Sequence, residues 1–180
     1  MVEKVTKVLQ QQGVIAYPTE AVYGLGCDPF SELAVKKILK LKKRDINKGL
    51  ILIASNWKQI ENLIQPIPDE NLSQVMQTWP GPVTWLFPAS DKVPRWISGT
   101  HSTIALRITA HPVAKAICEK FSGPIVSTSA NEEGEIPAKT VEQVKLYFPS
   151  GIDLLIPGEV GDLSQPTPIR DVISGEFIRR

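Results

Sequence analysis

The 180-residue chain carries 20 lysines and arginines against 19 aspartates and glutamates, so its formal charge at pH 7 is only +1. This balance argues against a globally basic nucleic-acid binder, although it leaves room for a local basic cleft. No apolar run approaches the ~20 residues that a membrane-spanning helix requires, and the N-terminus lacks the apolar region of a signal peptide. We therefore expect a cytoplasmic protein without a membrane partner, folded as one domain over residues 1–180.

The sequence contains no recognisable metal or nucleophile motif. Cys27 and Cys118 are isolated cysteines, and His101 and His111 lack metal-ligand spacing. We expect His111, which precedes Pro112, to cap a helix. The glycine-rich phosphate loop with its lysine is also missing. Reduced, buried thiols are the default for such cysteines in the cytoplasm, and we predict no protein-bound metal.

Apolar strand-like segments alternate with segments of helical period. In chain order we predict a helix over residues 1–12, a strand over 14–17, a helix capped by Ser31 and ending in the basic run 40–44, and a strand over 50–54. Next come a helix over 56–64, a short helix over 71–79, a strand over 83–87, an irregular stretch over 88–99 and a strand over 104–108. The last elements are a helix over 112–121, a strand over 124–127, a helix from Thr140 to about 148, a strand over 153–156 and a hairpin of 169–173 with 176–179. Asn56 with Gln59 and Thr140 with Gln143 form candidate capping boxes. The alternation predicts an α/β fold with a twisted, open, mixed sheet flanked by helices.

The end of the first predicted strand is a candidate ligand site. Pro18 cannot donate to a sheet, so the strand should end there and expose Thr19 and Glu20 at its carboxyl end. Ligands of open α/β sheets collect outside such strand ends. An ordinary strand exit followed by a turn with Gly24 and Gly26 is the alternative, and this stretch alone does not exclude it.

A basic run follows the second predicted helix. Cations at a helix C-terminus complement the helix dipole and are often simply solvated, which we favour for Lys43. For Lys42, Arg44 and Lys48, which flank a buried strand, an anion site is an equally good interpretation. Arginine offers a fixed fork to phosphate or carboxylate, whereas lysine acts as a mobile point charge.

Polar side chains crowd the end of the strand predicted at 124–127. Ser127, Ser129 and Asn131 share a period of two and would project to one side if the strand continued. Such groups need partners, either in the protein or in a ligand. A turn that satisfies its own backbone is the alternative.

Arg107 lies within the apolar strand 104–108. A charge in such a place is costly unless it is paired. A structural salt bridge and the binding of a substrate carboxylate explain it equally well.

Six motifs occur in the order of a known family. They are Tyr17-Pro18-Thr19-Glu20-Ala21-Val22-Tyr23-Gly24-Leu25-Gly26, Lys42-x-Arg44, Lys48-Gly49-Leu50, Trp79-Pro80-Gly81-Pro82-Val83-Thr84, Leu106-Arg107 with His111-Pro112, and Ser127-Thr128-Ser129-Ala130-Asn131. Together they closely resemble the YrdC-like threonylcarbamoyl-AMP synthases, in their short, single-domain bacterial form. The resemblance covers nearly the whole chain.

The resemblance implies a fold with a large basic cavity and a specific reaction. The family forms L-threonylcarbamoyl-AMP and pyrophosphate from L-threonine, bicarbonate and ATP, with Mg²⁺ carried mainly by the triphosphate. The product serves the N6-threonylcarbamoyladenosine modification at position 37 of tRNAs reading ANN codons. The implied partner is a downstream tRNA threonylcarbamoyl-transferase complex, and direct binding of tRNA or double-stranded RNA is left open.

The resemblance also implies the roles of particular residues. The catalytic quartet of the family corresponds to Lys42, Arg44, Ser129 and Asn131. Thr19 corresponds to the threonine pocket, and the further substrate- or ATP-binding positions are Lys48, Thr84, Arg107 and Ser127.

Two departures from the family pattern affect these expectations. Asp45 stands where many relatives have proline, which could change the loop and weaken the local positive field. The segment from Pro166 to Asp171 replaces the usual Ser-Thr followed by apolar residues and Asp, so its nucleotide contacts are open. A non-catalytic RNA-binding module that uses the same basic cavity remains the alternative function.

Overall fold

The computed structural model describes residues 2–179, so the expectation for Met1 lies outside it. Its α-helices are α1 (Val2–Gln10), α2 (Glu32–Lys42), α3 (Asp69–Met76), α4 (Arg95–Ser98), α5 (Pro112–Phe121) and α6 (Val141–Tyr147). Its strands are β1 (Ile15–Pro18), β2 (Tyr23–Gly26), β3 (Ile51–Ala54), β4 (Thr84–Pro88), β5 (Thr103–Ile108), β6 (Ile125–Val126), β7 (Thr128–Ser129), β8 (Leu154–Leu155), β9 (Ile169–Asp171) and β10 (Phe177–Arg179). Within residues 2–179, no helix has both the length and the apolar character to cross a membrane.

The strands form two mixed sheets, whereas the sequence predicted one. The smaller sheet has the order β7-β2-β1-β8, and the larger has the order β10-β9-β4-β5-β3-β6. In the larger sheet, β5 is parallel to β3 and antiparallel to β4. In the smaller sheet, β1 is antiparallel to β2 and parallel to β8. The mixed α/β class is confirmed, and the single sheet is corrected to two.

The chain passes from the larger sheet to the smaller one at Ser127. β6, directly before this residue, pairs with β3, and β7, directly after it, pairs with β2. The Ser127 N–H donates to the Ile51 carbonyl at 2.8 Å, so the crossing point remains hydrogen-bonded to the larger sheet. One extended segment is thereby shared between two sheets. The local sequence does not reveal this, because strand pairing depends on distant partners.

The stretch interpreted as a glycine turn after Pro18 contains a strand. Tyr23–Gly26 form β2, which pairs antiparallel with β1. A Cβ atom at Gly26 would lie 2.8 Å from the Val126 carbonyl oxygen and 2.8 Å from Tyr17 Cε1. The turn interpretation is wrong because this glycine serves the close approach of backbones, a use that has the same sequence signature as a turn.

Two predicted helix starts are confirmed. The Ser31 hydroxyl accepts a hydrogen bond from the Ala34 N–H at 3.3 Å at the start of α2. At the start of α6, the Thr140 hydroxyl accepts from the Gln143 N–H at 3.2 Å. Each bond satisfies an N–H group that the first helical turn leaves unpaired.

The helix predicted from Asn56 is wrong. Trp57–Gln59 and Glu61–Leu63 form two single turns of 3-10 helix, and the Asn56 side chain makes no capping bond. The Gln59 side chain instead donates to the Cys118 carbonyl in α5 at 2.9 Å. The Gln59 side-chain oxygen accepts from the Ser55 N–H at 2.9 Å, one residue before the predicted cap, so the local bond exists without an α-helix.

Two other local expectations also change. His111 is the N-cap residue of α5, as predicted, but its side chain makes no capping bond, and its Nε2 lies 3.1 Å from the Glu159 carbonyl oxygen. The stretch 88–99, expected to be irregular, includes the one-turn helix α4. By contrast, the closing hairpin is confirmed as β9 and β10.

The core consists of two groups of buried side chains. The larger includes Trp85, Phe87, Leu106, Ile38 and Cys27. The smaller joins α1 and α5 to the sheets through Leu9, Ile117, Cys118, Ile15 and Ile53. Burying each large apolar side chain stabilises the fold by roughly 1.5–3 kcal/mol. Both cysteines are buried and free, as predicted.

We expect Gly99→Ala to destabilise the fold by about 2 kcal/mol. Gly99 has a φ of 63°, and a Cβ atom there would lie 2.3 Å from the Asn47 carbonyl oxygen. Urea unfolding measures the effect. Gly123→Ala is the control, because a Cβ atom at Gly123 meets nothing closer than 3.7 Å. Equal stability of the two variants would contradict the prediction.

Candidate active site

A cavity of about 500 Å³ is lined by residues from both sheets, from the end of α2 and from the loops after β7 and before β9. Its wall includes Thr19, near the start of the chain, and Arg179, near its end. Pockets of ~300–1,000 Å³ are typical of small-molecule sites. The cavity therefore has the size of a site for a nucleotide or a metabolite rather than for a long polymer.

All but one of the predicted site residues line this cavity. They are Thr19, Lys42, Arg44, Lys48, Arg107, Ser127, Ser129 and Asn131. The exception is Thr84, which is fully buried, with its hydroxyl oxygen 3.3 Å from that of the wall residue Thr167. Thr84 therefore lies behind the wall and can influence a ligand through Thr167.

Lys42, the last residue of α2, is buried at the cavity wall with 3% of its surface exposed. Its ammonium donates to the Ser129 carbonyl at 2.5 Å and to the Asn131 carbonyl at 2.8 Å. Burial, reinforced by the Arg44 guanidinium, lowers the pKa of Lys42 to about 8, while the Glu133 carboxylate opposes the shift. An ammonium has three N–H groups, so one remains for a ligand.

Lys43 points away from the site. It ends α2 in the left-handed conformation, with a φ of 50°, and its ammonium lies 2.6 Å from a Glu132 carboxylate oxygen. The Lys43 side chain is 72% exposed. The solvent-exposed position that we favoured for Lys43 is therefore confirmed.

Arg44 and Lys48 share one carboxylate. Arg44 Nη1 lies 3.6 Å and Lys48 Nζ lies 2.6 Å from the same oxygen, Oε1 of Glu133. The hydrogen bond from Lys48 is the largest cause that lowers the pKa of Glu133. Arg44 Nη2 donates to the Gly49 carbonyl at 3.0 Å, and this bond fixes the guanidinium against the loop before β3.

Three buried polar atoms of wall residues lack a hydrogen-bond partner among the described residues: Arg44 Nε, Arg107 Nε and Asn131 Oδ1. The Asn131 amide nitrogen donates to the carbonyls of Glu132 at 2.6 Å and Glu135 at 2.9 Å, which leaves the oxygen available. Buried polar atoms are normally paired. The three atoms therefore indicate a ligand that accepts hydrogen bonds at Arg44 and Arg107 and donates one at Asn131.

Arg107 takes part in a buried polar network. Its Nη2 donates to Glu20 at 3.2 Å, and its Nη1 donates to the Thr167 hydroxyl at 2.9 Å. The other Glu20 oxygen accepts from the Thr109 hydroxyl at 2.6 Å. The structural salt bridge considered for Arg107 is therefore present. Because Arg107 also lines the cavity, binding of a substrate carboxylate stays a prediction.

The sequence analysis missed several polar residues of the wall, namely His101, Glu133, Thr167 and Arg179. Arg179 donates to the Thr167 carbonyl at 2.7 Å. Its pKa is lowered first by burial and then by the positive charges of Arg107 and Arg44. The only sequence signal for Arg179 was its positive charge in the predicted closing hairpin, and a solvated surface arginine gives the same signal.

The Asp45 departure is explained by local structure. Asp45 begins the 3-10 turn Ile46–Lys48, where its carboxylate accepts from the Asn47 N–H at 2.9 Å. It does not line the cavity. The Asp45 side chain thus stabilises the turn that carries Lys48.

The second departure, residues 166–171, anchors the closing hairpin. Thr167 in this segment still lines the cavity. Arg170 places its guanidinium carbon 4.6 Å from the Trp85 ring centroid and 4.9 Å from that of Phe177. It also donates to the Gly175 carbonyl at 2.8 Å. Cation–π contacts of this kind link β10, the edge strand of the larger sheet that carries Arg179, to Trp85 in β4.

The fold and the site together define a class of protein. Two mixed sheets enclose a cavity in which cations outnumber carboxylates and in which hydroxyl and amide groups lie beside them. Such a constellation suits an enzyme that acts on small anionic substrates.

Comparison with known proteins assigns the family. The family model described as Telomere recombination, for Sua5, YciO and YrdC, matches residues 7–180. The chain belongs to this family. The expected YrdC-like fold and the resemblance to this family are thereby confirmed.

Relatives and solved structures agree with this assignment. Threonylcarbamoyl-AMP synthase from Coxiella burnetii (strain RSA 493 / Nine Mile phase I) is 58% identical over 173 residues, which cover 96% of this chain and 93% of that protein. P. abyssi Sua5 complexed with L-threonine has a TM-score of 0.89 and 32% identity; the match covers 94% of this chain but 50% of that one, about half its length. E. coli YciO has a TM-score of 0.81 and 23% sequence identity, and the match covers 99% of this chain and 90% of the YciO chain. At this identity the similarity supports the fold alone.

We expect the stability that Glu20 contributes to depend on pH. Burial raises the pKa of Glu20, but Arg107 and Thr109 outweigh burial, so its pKa in the folded protein lies below 4.5. A lowered carboxyl pKa stabilises the fold above the unfolded pKa, and this contribution is lost as the pH falls through the folded pKa.

The matching experiment compares Glu20→Gln with the wild type by urea unfolding at several pH values. Near neutral pH the variant should be less stable by about 3 kcal/mol, because Arg107 loses its buried counter-charge. The difference should shrink below pH 4.5, the unperturbed value of this carboxyl. A difference that is the same at all pH values would refute the ionic role of Glu20.

Proposed function

We propose that this chain forms L-threonylcarbamoyl-AMP and pyrophosphate from L-threonine, bicarbonate and ATP, and is thus a nucleotidyltransferase. The observation that carries the proposal is the convergence of Lys42, Arg44, Ser129 and Asn131 on one cavity. Support comes from the 58% identity to the Coxiella burnetii protein named threonylcarbamoyl-AMP synthase. The similarity to P. abyssi Sua5, whose structure is a complex with L-threonine, adds to it.

The reaction depends on bringing anions together. The amine of threonine takes up CO2 derived from bicarbonate, an oxygen of the resulting carbamate attacks the α-phosphorus of ATP, and pyrophosphate leaves. This sequence needs no nucleophile from the protein. It needs positioning of the reactants and neutralisation of the charge that develops on the phosphate oxygens.

The cations at the end of α2 are suited to the phosphate and carbamate oxygens. Lys42 has an N–H group left over from its two carbonyl partners. Arg44 offers its unpartnered Nε, and Lys48 lies beside it, since both contact Glu133. Positive groups held by the protein before the substrate arrives stabilise a developing negative charge without reorganisation.

The groups across the cavity are suited to threonine and to the nucleoside. Asn131 Oδ1 can accept from an amine or a hydroxyl, and Ser127 and Ser129 supply hydroxyls on the same wall. Thr19 donates its hydroxyl proton to the Val22 carbonyl at 2.7 Å, so its oxygen remains an acceptor for threonine. Arg107 is assigned to a substrate carboxylate or phosphate.

Mg²⁺ enters the proposal as the companion of ATP. It keeps several waters and binds largely through phosphate oxygens in nucleotide sites. Among the described residues, no group of three or more His, Cys, Asp or Glu side chains is placed to hold a metal. We also propose the cytoplasm as the place of reaction, with a downstream tRNA threonylcarbamoyl-transferase complex as the recipient of the product.

The alternative, a non-catalytic RNA-binding module, is less well supported. Its cavity would need to follow a phosphate backbone, with strong salt dependence. The observed cavity is of small-molecule size, and its polar groups converge from both sheets. Direct contact with tRNA or double-stranded RNA stays a separate prediction, compatible with the synthase activity.

We expect Arg44→Ala to lower the rate of ATP-dependent threonylcarbamoyl-AMP formation by roughly two to three orders of magnitude, the cost of losing one charge-stabilising donor. Mass detection of threonylcarbamoyl-AMP, together with pyrophosphate release that requires both threonine and bicarbonate, measures the activity. Lys43→Ala is the matched control, because it removes the adjacent cation, which points into solvent. Wild-type activity in Arg44→Ala would remove Arg44 from the site.

We expect ATP binding to weaken as the pH rises above the pKa of Lys42. This pKa is about 8, so the ammonium loses its charge as the pH passes that value and ceases to attract phosphate. Titration calorimetry with ATP, from neutral pH upward, measures the change. Lys42→Arg should lack this pH dependence, because guanidinium remains protonated; the same decline in that variant would show that another group is responsible.

A further inference from the structure

Glu133 occupies a position where a substrate anion is expected. Its carboxylate lies at the cavity wall, with one oxygen 2.6 Å from Lys48 Nζ and 3.6 Å from Arg44 Nη1. These two cations are the ones that we assign to phosphate oxygens. A negative group of the protein therefore already contacts the cations that the substrate needs.

The charges around this carboxylate favour its contact with the cations in the absence of substrate. The nearby cations Lys48, Arg44 and Lys42 lower the pKa of Glu133, so the group is ionised at neutral pH. A polyphosphate at the same cations would lie close to a like charge, and like charges at such distances repel. The Glu133 carboxylate and a bound phosphate thus compete for one place.

The surroundings of Glu133 allow its side chain to move away from Arg44 and Lys48. It belongs to the loop after β7, and its side chain is one-third exposed. The next residue, Gly134, has a φ of 89°, and a Cβ atom there would meet nothing within 4 Å. The Glu133 N–H donates to the Lys42 carbonyl at 2.8 Å, so the backbone stays attached to α2 while the partly exposed side chain can turn toward solvent.

We propose that Glu133 is an internal counter-ion that occupies the Arg44–Lys48 anion site before substrate binds and is displaced by the polyphosphate of ATP. Glu133 thereby determines how strongly the site binds anions, since every ligand must replace an ion pair that already exists. The inference rests on the proposed function only in taking ATP as the natural polyphosphate.

The adjacent residue Glu132 provides a matched control. It carries the same charge, but it pairs with Lys43 on the outer side of α2 and does not line the cavity. Glu133→Gln and Glu132→Gln therefore remove one negative charge from neighbouring positions, and only the first change frees cations of the site.

The test is titration calorimetry of the full chain with inorganic tripolyphosphate at low ionic strength. Glu133→Gln should bind it about 2- to 5-fold more tightly than the wild type, the range expected for losing a partly exposed ion pair. Glu132→Gln should match the wild type. The gain should diminish with added salt, because salt screens exposed charges.

Each other outcome would overturn the inference. Unchanged or weaker binding in Glu133→Gln means that the carboxylate holds the two cations in place rather than competing for them. An equal gain in Glu132→Gln means a general charge effect. In these cases the proposed function stands if the wild type binds ATP, whereas a wild type that binds neither ligand refutes both proposals.

Discussion

The buried ammonium of Lys42 is the interaction on which the site depends. It ends α2 and donates to the carbonyls of Ser129 and Asn131, which are 87 and 89 residues away in sequence. A buried charge is costly unless it is paired or hydrogen-bonded, so these bonds hold the loop after β7 at the end of the helix. The same contact that satisfies the lysine also brings the two principal motifs of the chain together.

A chain with almost no net charge gathers cations at one cavity by distributing its charges unevenly. Lys42, Arg44, Lys48, Arg107 and Arg179 all line it, against the single carboxylate of Glu133 among the described lining residues. Glu20 balances Arg107 from behind the wall. Converging cations at a low-dielectric wall make the site receptive to anions, and each has a hydrogen bond or ion pair that fixes its position.

Local sequence signals predicted the fold where their partners are local. The caps at Ser31 and Thr140 and the closing hairpin follow from neighbouring residues, and the structure has all three. The signal at Asn56 failed because the Gln59 oxygen accepts from the Ser55 N–H while its amide nitrogen bonds to α5, and only 3-10 turns follow. Strand β2 was missed because a glycine that permits close packing and a glycine that permits a turn are the same residue in sequence.

The sequence by itself determined the α/β class through its alternating segments and the family through six motifs in order. It also nominated eight residues that line the cavity, because a basic run, a polar strand exit and a charge in an apolar strand each need a partner. Only the tertiary structure decided that the strands form two sheets, that Thr84 lies behind the wall and that Glu133 and Arg179 lie at it. The physical reason is that strand pairing and side-chain direction depend on contacts between distant segments, and such contacts leave no pattern in the neighbouring residues.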